Sequence, residues 1–157
     1  MAAADVPARA IAHAANAAMS RQLQVNWQCR DLLAGQQPVP KNTYSLIVMF
    51  RFVAPDLLPI LLHGLAPGGI LVIEEHLQWA GPEQISGPSS QRFRVTADEL
   101  STQLGAVGGG FDVLNEFSGL IAEPPDAGEQ GKAGVSRLSR RRPSPSQRAL
   151  PYRAILR

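Results

Sequence analysis

Cysteine, aromatic residues and long apolar runs are all scarce in this chain of 157 residues. The single cysteine, Cys29, excludes an internal disulfide and any cysteine-rich zinc site, and it suits a reducing compartment. No apolar run approaches the roughly 20 residues that a membrane helix needs. The opening stretch is rich in alanine and carries Asp5 but no leucine-rich segment, so it does not read as a secretory signal. These absences predict a cytoplasmic protein with no membrane partner. Aromatics make up only 6% of the chain and do not interleave with its basic groups as base-stacking platforms would.

Acidic residues are missing from one region. The formal net charge of +2 averages over an uneven distribution: after Gln130 come Lys132, Arg137, Arg140, Arg141, Arg142, Arg148, Arg153 and Arg157, with no Asp or Glu among them. A block of this kind reads as a solvated, self-repelling segment. Nucleic-acid contact through Arg140, Arg141 and Arg142 is the alternative, and such binding would fall steeply with salt. Gly, Pro and Ser interspersed over residues 124–150 predict a flexible insertion there.

What the chain does contain is the material of one core, with 45% hydrophobic residues and a mean hydropathy of −0.06. Residues 46–50 are continuously apolar, the pattern of a parallel strand covered on both faces. Leu57, Leu58, Leu61, Leu62 and Leu65 follow at helical spacing behind Pro55, and Pro59 falls where helix amides lack partners anyway. Pro67, Gly68 and Gly69 stop that helix and lead into residues 70–73, a second buried strand.

Upstream, residues 5–19 read as a helix capped by Asp5, and Leu23, Val25 and Trp27 alternate with polar residues as a short strand ending near Asp31. Downstream, Thr96 and Glu99 form a capping box ahead of Leu100 and Leu104. Residues 111–117 read as a strand, with 152–156 as its antiparallel closing partner. Alternating strands and helices imply an α/β layer architecture with a mostly parallel sheet.

Ligands of open α/β sheets bind at the carboxyl ends of the strands, which here carry Asp5, Asp31, Arg51, Glu74, Glu75 and His76. Each has a plainer reading. Asp5 serves equally as a helix cap, Asp31 as the start of a turn and Arg51 as an ordinary sheet-end charge. A histidine beside carboxylates titrates near neutrality and can move protons, but three adjacent strand residues cannot share a face, so at most one of Glu74, Glu75 and His76 serves a given site. His13 and His63 have no Cys or carboxylate at ligand spacing, which predicts no metal site. Cys29 reads as a small buried residue. The glycines at 108–110 precede a strand and not a helix, which removes the amides a phosphate loop requires.

The strings YSLIVMFRFV and LAPGGILVIEEH, residues 44–53 and 65–76, resemble the later half of class I S-adenosylmethionine-dependent methyltransferases. LAPGG matches the LxPGG turn before the fifth strand of those enzymes. The resemblance covers most of residues 5–117 and implies a Rossmann-like fold that is N-terminally truncated, because the glycine-rich first turn is absent. It further implies S-adenosylmethionine as cofactor, methyl transfer to a small-molecule acceptor, and no metal.

On the same resemblance Asp5 would meet the ribose hydroxyls, a role that suits a carboxylate accepting from two neighbours at once. Asp31, with Leu32 beside it, would meet the adenine amino group, and Arg51 closes the next strand of the cofactor-binding set. Ser45 stands where an acid is usual. The expected organisation is a partial methyltransferase-like domain over 1–123, the flexible insertion, and a closing strand within 151–157. The competing reading is a catalytically incompetent interaction module that keeps part of the fold, whose free sheet edge would favour self-association.

Overall fold

The computed structural model describes residues 2–5, 8–29, 31–34, 39–108, 110–122 and 131–144. The chain divides into two compact units, Met1–Pro38 and Val39–Arg157.

The first unit is a strand, a helix and a second strand: β1 (Ala2–Asp5), α1 (Ala8–Ser20) and β2 (Asn26–Cys29). β1 and β2 pair in parallel, from Ala2 opposite Asn26 to Asp5 opposite Cys29. Asp5 is therefore the last residue of a strand, and the helix begins three residues later than its composition suggests. Alanine is the best helix former, and Ile11, Ala14, Ala15 and Ala18 give α1 one sheltered face, on which Ala18 is buried. The helix ends in a Schellman pattern: the Leu23 amide bonds Ala18 O at 3.0 Å, the Gln22 amide bonds Met19 O at 3.0 Å, and Gln22 takes φ +56°.

The second unit is built on a four-stranded sheet in the order β3 (Tyr44–Phe50), β4 (Leu65–His76), β6 (Lys132–Arg141), β5 (Asp112–Ala122). β3 and β4 are parallel, while β6 runs antiparallel to both β4 and β5. Between β3 and β4 the chain crosses over through a 3-10 turn (Pro55–Leu57) and α2 (Leu58–Gly64); α3 (Glu99–Val107) precedes β5. The predicted capping box is half formed: the Thr96 amide donates to Glu99 Oε2 at 3.0 Å, while Asp98 occupies the N-cap.

The PGG segment does not end a helix and then start a strand. It is absorbed into β4 as a bulge, with Tyr44 opposite Leu65 and then Leu46 opposite Ile70. Gly69 is required there, since a Cβ would sit 2.8 Å from Ala66 O and 2.9 Å from Tyr44 O. Past the bulge β4 alternates strictly: Leu71, Ile73 and Glu75 are buried against the helices, while Ile70, Val72, Glu74 and His76 face the other way. The core on the helix side joins Met49, Leu58, Leu62, Leu65, Leu71, Ile73, Val95, Leu100, Leu104 and Leu138. Burying each such side chain is worth about 1.5–3 kcal/mol.

Two expectations are corrected. Among the described residues β3 is the outer strand of its sheet and is covered on one face; Leu46, Val48 and Phe50 are exposed on the other. Lys132–Arg141, placed by composition in a flexible insertion, is a strand held between β4 and β5, with Ala133, Val135 and Leu138 buried. It supplies the antiparallel partner of β5 that residues 152–156 were expected to provide; those residues lie outside the described ones. Among the described residues, no helix is long and apolar enough to cross a membrane.

Candidate functional site

Two sets of polar groups stand at the carboxyl ends of parallel strands, one in each unit. In the first unit Asp5 closes β1, and Asp31 lies two residues past the end of β2, its neighbour in the sheet. The Asp31 carboxylate accepts the Leu33 amide at 2.8 Å through Oδ1, an Asx turn that fixes the side chain on the surface. Leu32 beside it is half-buried. Cys29, expected to be buried, is exposed. A hollow of about 600 Å³ between the end of α1 and the start of β2 is lined by Ala18, Met19, Leu23 and Trp27 and lies at the opposite end of the strand from Asp31.

In the second unit a tighter cluster forms at the ends of β3 and β4. Arg51 follows β3 directly in the left-handed conformation, φ +55°, which a non-glycine residue adopts only when its surroundings compensate. Its amide donates to Glu74 O at 2.7 Å, its Nε donates to Glu74 Oε1 at 3.1 Å, and its guanidinium forms an ion pair with the same oxygen at 3.0 Å. Arg137, from β6, donates to Glu74 Oε2 through Nε at 2.8 Å and through a second nitrogen. One carboxylate thus bridges two guanidiniums. Burial alone would raise the Glu74 carboxyl, but the hydrogen bonds and charges of Arg137 and Arg51 outweigh it and hold it below its ordinary value.

His76 belongs to this cluster. Arg51 Nη1 lies 2.8 Å from His76 Nδ1. An arginine can only donate, so the ring accepts; the same Nη1 also lies 3.3 Å from Nε2, and Nδ1 is the nearer acceptor. A cation thus stands beside the imidazole, on the side where Arg51 also holds Glu74. Gly87, at φ +98°, packs against the imidazole; a Cβ there would lie 2.5 Å from His76 Cε1. The loop carrying Gly87 is fastened by buried Arg94, which donates to Pro88 O at 2.8 Å, Leu77 O at 2.9 Å and Ser86 O at 3.1 Å.

Of the sequence-derived candidates, Asp5 and Asp31 are brought to the same end of one sheet, and Arg51, Glu74 and His76 into one network. Glu75 is left out of that network, on the helix-covered face. Arg137 and Arg94 were not singled out from the sequence. Arg137 sits in a basic run, and nothing marks it except its phase with Val135 and Ser139 on the β6 face that meets Glu74. Arg140 and Arg141 are strand residues, and Arg142 donates to Asn42 Oδ1 and Leu65 O, uses unlike those of a solvated tail. Among the described residues no three metal-ligating side chains converge.

No protein-family model matches the chain, and no curated protein does. Solved structures do. A SAM-dependent methyltransferase from Methanosarcina mazei superposes with TM-score 0.65 at 15% identity, over 91% of this chain and 82% of its own. The 4+2 cyclase SpnF gives TM-score 0.64 at 19% identity, over 91% and 66%. TehB from Haemophilus influenzae gives 0.63 at 17% identity, over 90% and 49%. The chain thus spans under two thirds of the cyclase and about half of TehB. It has the Rossmann-like fold of class I SAM-dependent methyltransferases, and at these identities the likeness is one of fold.

Proposed function

We propose, from the class I methyltransferase fold of this chain, that it binds S-adenosylmethionine and serves methyl transfer to a small-molecule acceptor. The observation that carries this reading is the sheet: a parallel β3–β4 pair followed by a β5–β6 hairpin whose last strand inserts antiparallel beside β4, shared with a SAM-dependent methyltransferase over 91% of the chain.

The fit to the cofactor rests on Asp31. One of its oxygens holds the Leu33 amide, and the other has no hydrogen bond among the described residues, which suits acceptance from an adenine amino group. Asp5, at the neighbouring strand end, would accept from ribose hydroxyls. When bound, S-adenosylmethionine supplies a methyl group activated by its sulfonium. The task left to the protein is alignment of an acceptor with that methyl and, where the acceptor carries a proton, its removal. The second unit, taken by itself, offers the Arg51 guanidinium as a donor to an acidic group.

Isothermal titration of the purified chain with S-adenosylmethionine and S-adenosylhomocysteine tests this. Saturable binding is expected, weakened about 10- to 100-fold in Asp31→Ala, the cost of losing a hydrogen bond to a charged group. Absence of binding to folded protein would overturn the reading. A second reading, an interaction module without turnover, is favoured by β3, the uncharged outer strand of its sheet among the described residues, with Leu46, Val48 and Phe50 exposed. Concentration-dependent self-association without cofactor binding would support it.

A further inference from the structure

Glu75 plays no part in the site above, and its surroundings are those of a core leucine. The residue is 1% exposed, and neither carboxylate oxygen has a hydrogen-bond partner. It borders a slot of about 10 Å³, room for about one water molecule, lined by Met49, Val53, Ala54, Leu58, Val95 and Gln103. An ionised carboxylate in such a slot is strongly disfavoured, whereas a neutral carboxylic acid needs only one acceptor, which a single water supplies.

One wall of the slot is a short irregular segment, with Phe52 and Val53 packed against the core and Ala54 buried. Residues 52–54 link β3 to the Pro55–Leu57 turn without regular structure. Their upstream end is pinned by Arg51, through its amide bond to Glu74 O, and their downstream end by the Leu57 amide on Ala54 O at 3.0 Å. Between these pins the Phe52 amide approaches the Glu75 carboxyl without closing a hydrogen bond. The left-handed Arg51 is a strained pivot directly ahead of the segment.

We propose that Glu75 is a proton-operated latch on the 52–54 segment. In the latched state the neutral acid lies beneath Val53 and Ala54. When the O–H bond breaks, the proton goes to solvent, the electron pair stays on the carboxylate, and the segment swings out to let water and the Phe52 amide solvate the charge. Because Arg51 heads the segment, unlatching changes how its guanidinium is presented beside Glu74 and His76. The latch is a property of the fold and holds whether or not the protein transfers methyl groups.

The charged groups around Glu75 do not cancel its burial. On its own strand are Glu74, already bridged by Arg51 and Arg137, and His76; α3 brings Glu99, bonded to Gln103; the crossover brings Asp56; the loop after β4 brings Arg94, bonded to three carbonyls. Burial is the main cause of a rise in the Glu75 carboxyl from its ordinary 4.5 to about 7; the Phe52 amide and Arg51 oppose it, and Glu74 adds slightly. The transition therefore falls in the neutral range.

The test is NMR of the full chain between pH 5 and 9, following the Glu75 side-chain carboxyl carbon and the Phe52, Val53 and Ala54 amides. The carboxyl is expected to titrate near 7, the three amides to shift with the same midpoint, and their exchange with solvent, corrected for its intrinsic pH dependence, to rise at least about tenfold. Histidine titrates in the same range, so His76→Gln must retain the transition. Glu75→Gln is expected to hold the amides at their low-pH positions throughout. A Glu75 midpoint near 4.5, amides that do not follow it, or loss of the transition in His76→Gln each overturns the proposal. The wild-type titration decides even if the glutamine variant does not fold.

Discussion

Glu74 and Glu75 are adjacent and chemically identical, yet they meet opposite environments. Glu74 points to the open face of β4, where two arginines from β6 and the end of β3 close on it; Glu75 points to the helix-covered face, among leucines and valines, with no donor in place. One carboxyl is held below its ordinary value and the other is pushed up to about 7. The difference arises from strand geometry, which sends successive side chains to opposite faces, and from partners that are remote in sequence. Burial opposes ionisation at both residues, and what separates them is whether a guanidinium can reach the carboxylate.

The comparison is most sharply tested by stability against pH. Glu75 binds its proton more tightly folded than unfolded, so its contribution is fully present below about pH 4.5 and is lost as pH rises through about 7. The shift corresponds to a loss of up to about 3 kcal/mol by pH 8. Glu74 has the opposite sign: its contribution is present above about pH 4.5 and is lost as acid protonates it. Urea unfolding across pH 4–8 should show a decline between about pH 4.5 and 7 that levels off above it in the wild type and is absent in Glu75→Gln. An unchanged decline over that range in the variant would remove Glu75 from the account.

Next in size is Glu74→Ala, which leaves Arg51 and Arg137 without the carboxylate between them and removes the side-chain part of what holds the left-handed Arg51. With Arg137 partly exposed, a loss of about 2 kcal/mol at pH 7 is expected from denaturant unfolding. Gly87→Ala attacks the same face from the loop side, through both its φ of +98° and the collision with His76. A loss of about 1–2 kcal/mol is expected, with altered His76 ring resonances in NMR. The smallest effect is on the covered side: Gly105→Ala, within α3 and facing open space, should stabilise the protein by about 0.5–1 kcal/mol in thermal unfolding.

How much of this was legible in the chain differs between regions. The segment from Tyr44 to His76 was read correctly as strand, helix and strand, because its apolar runs and leucine spacing have no competing interpretation. β6 was missed because its arginines dominate the composition of residues 132–141, although Ala133, Val135 and Leu138 carry the buried side. β1 has no periodic signal, because three of its four residues are alanine, and only its last residue, Asp5, falls within the helix that the sequence predicts; pairing with β2, and not intrinsic preference, makes Ala2–Asp5 a strand. The strand-end candidates Asp5, Asp31 and Arg51 were found from position alone. Arg137 was not, since the residue it serves lies 63 positions away.

By itself the sequence determined the α/β class, the crossover between β3 and β4, and which residues stand at strand ends, because these follow from local periodicity and turn chemistry acting over a few residues. Only the tertiary structure decided that β6 lies between β4 and β5, that Glu74 gains two arginines, that His76 accepts from Arg51, and that Glu75 is enclosed without a donor. Those outcomes depend on register between distant strands, where a shift of one residue would exchange the two faces of β4 and with them the fates of its two glutamates.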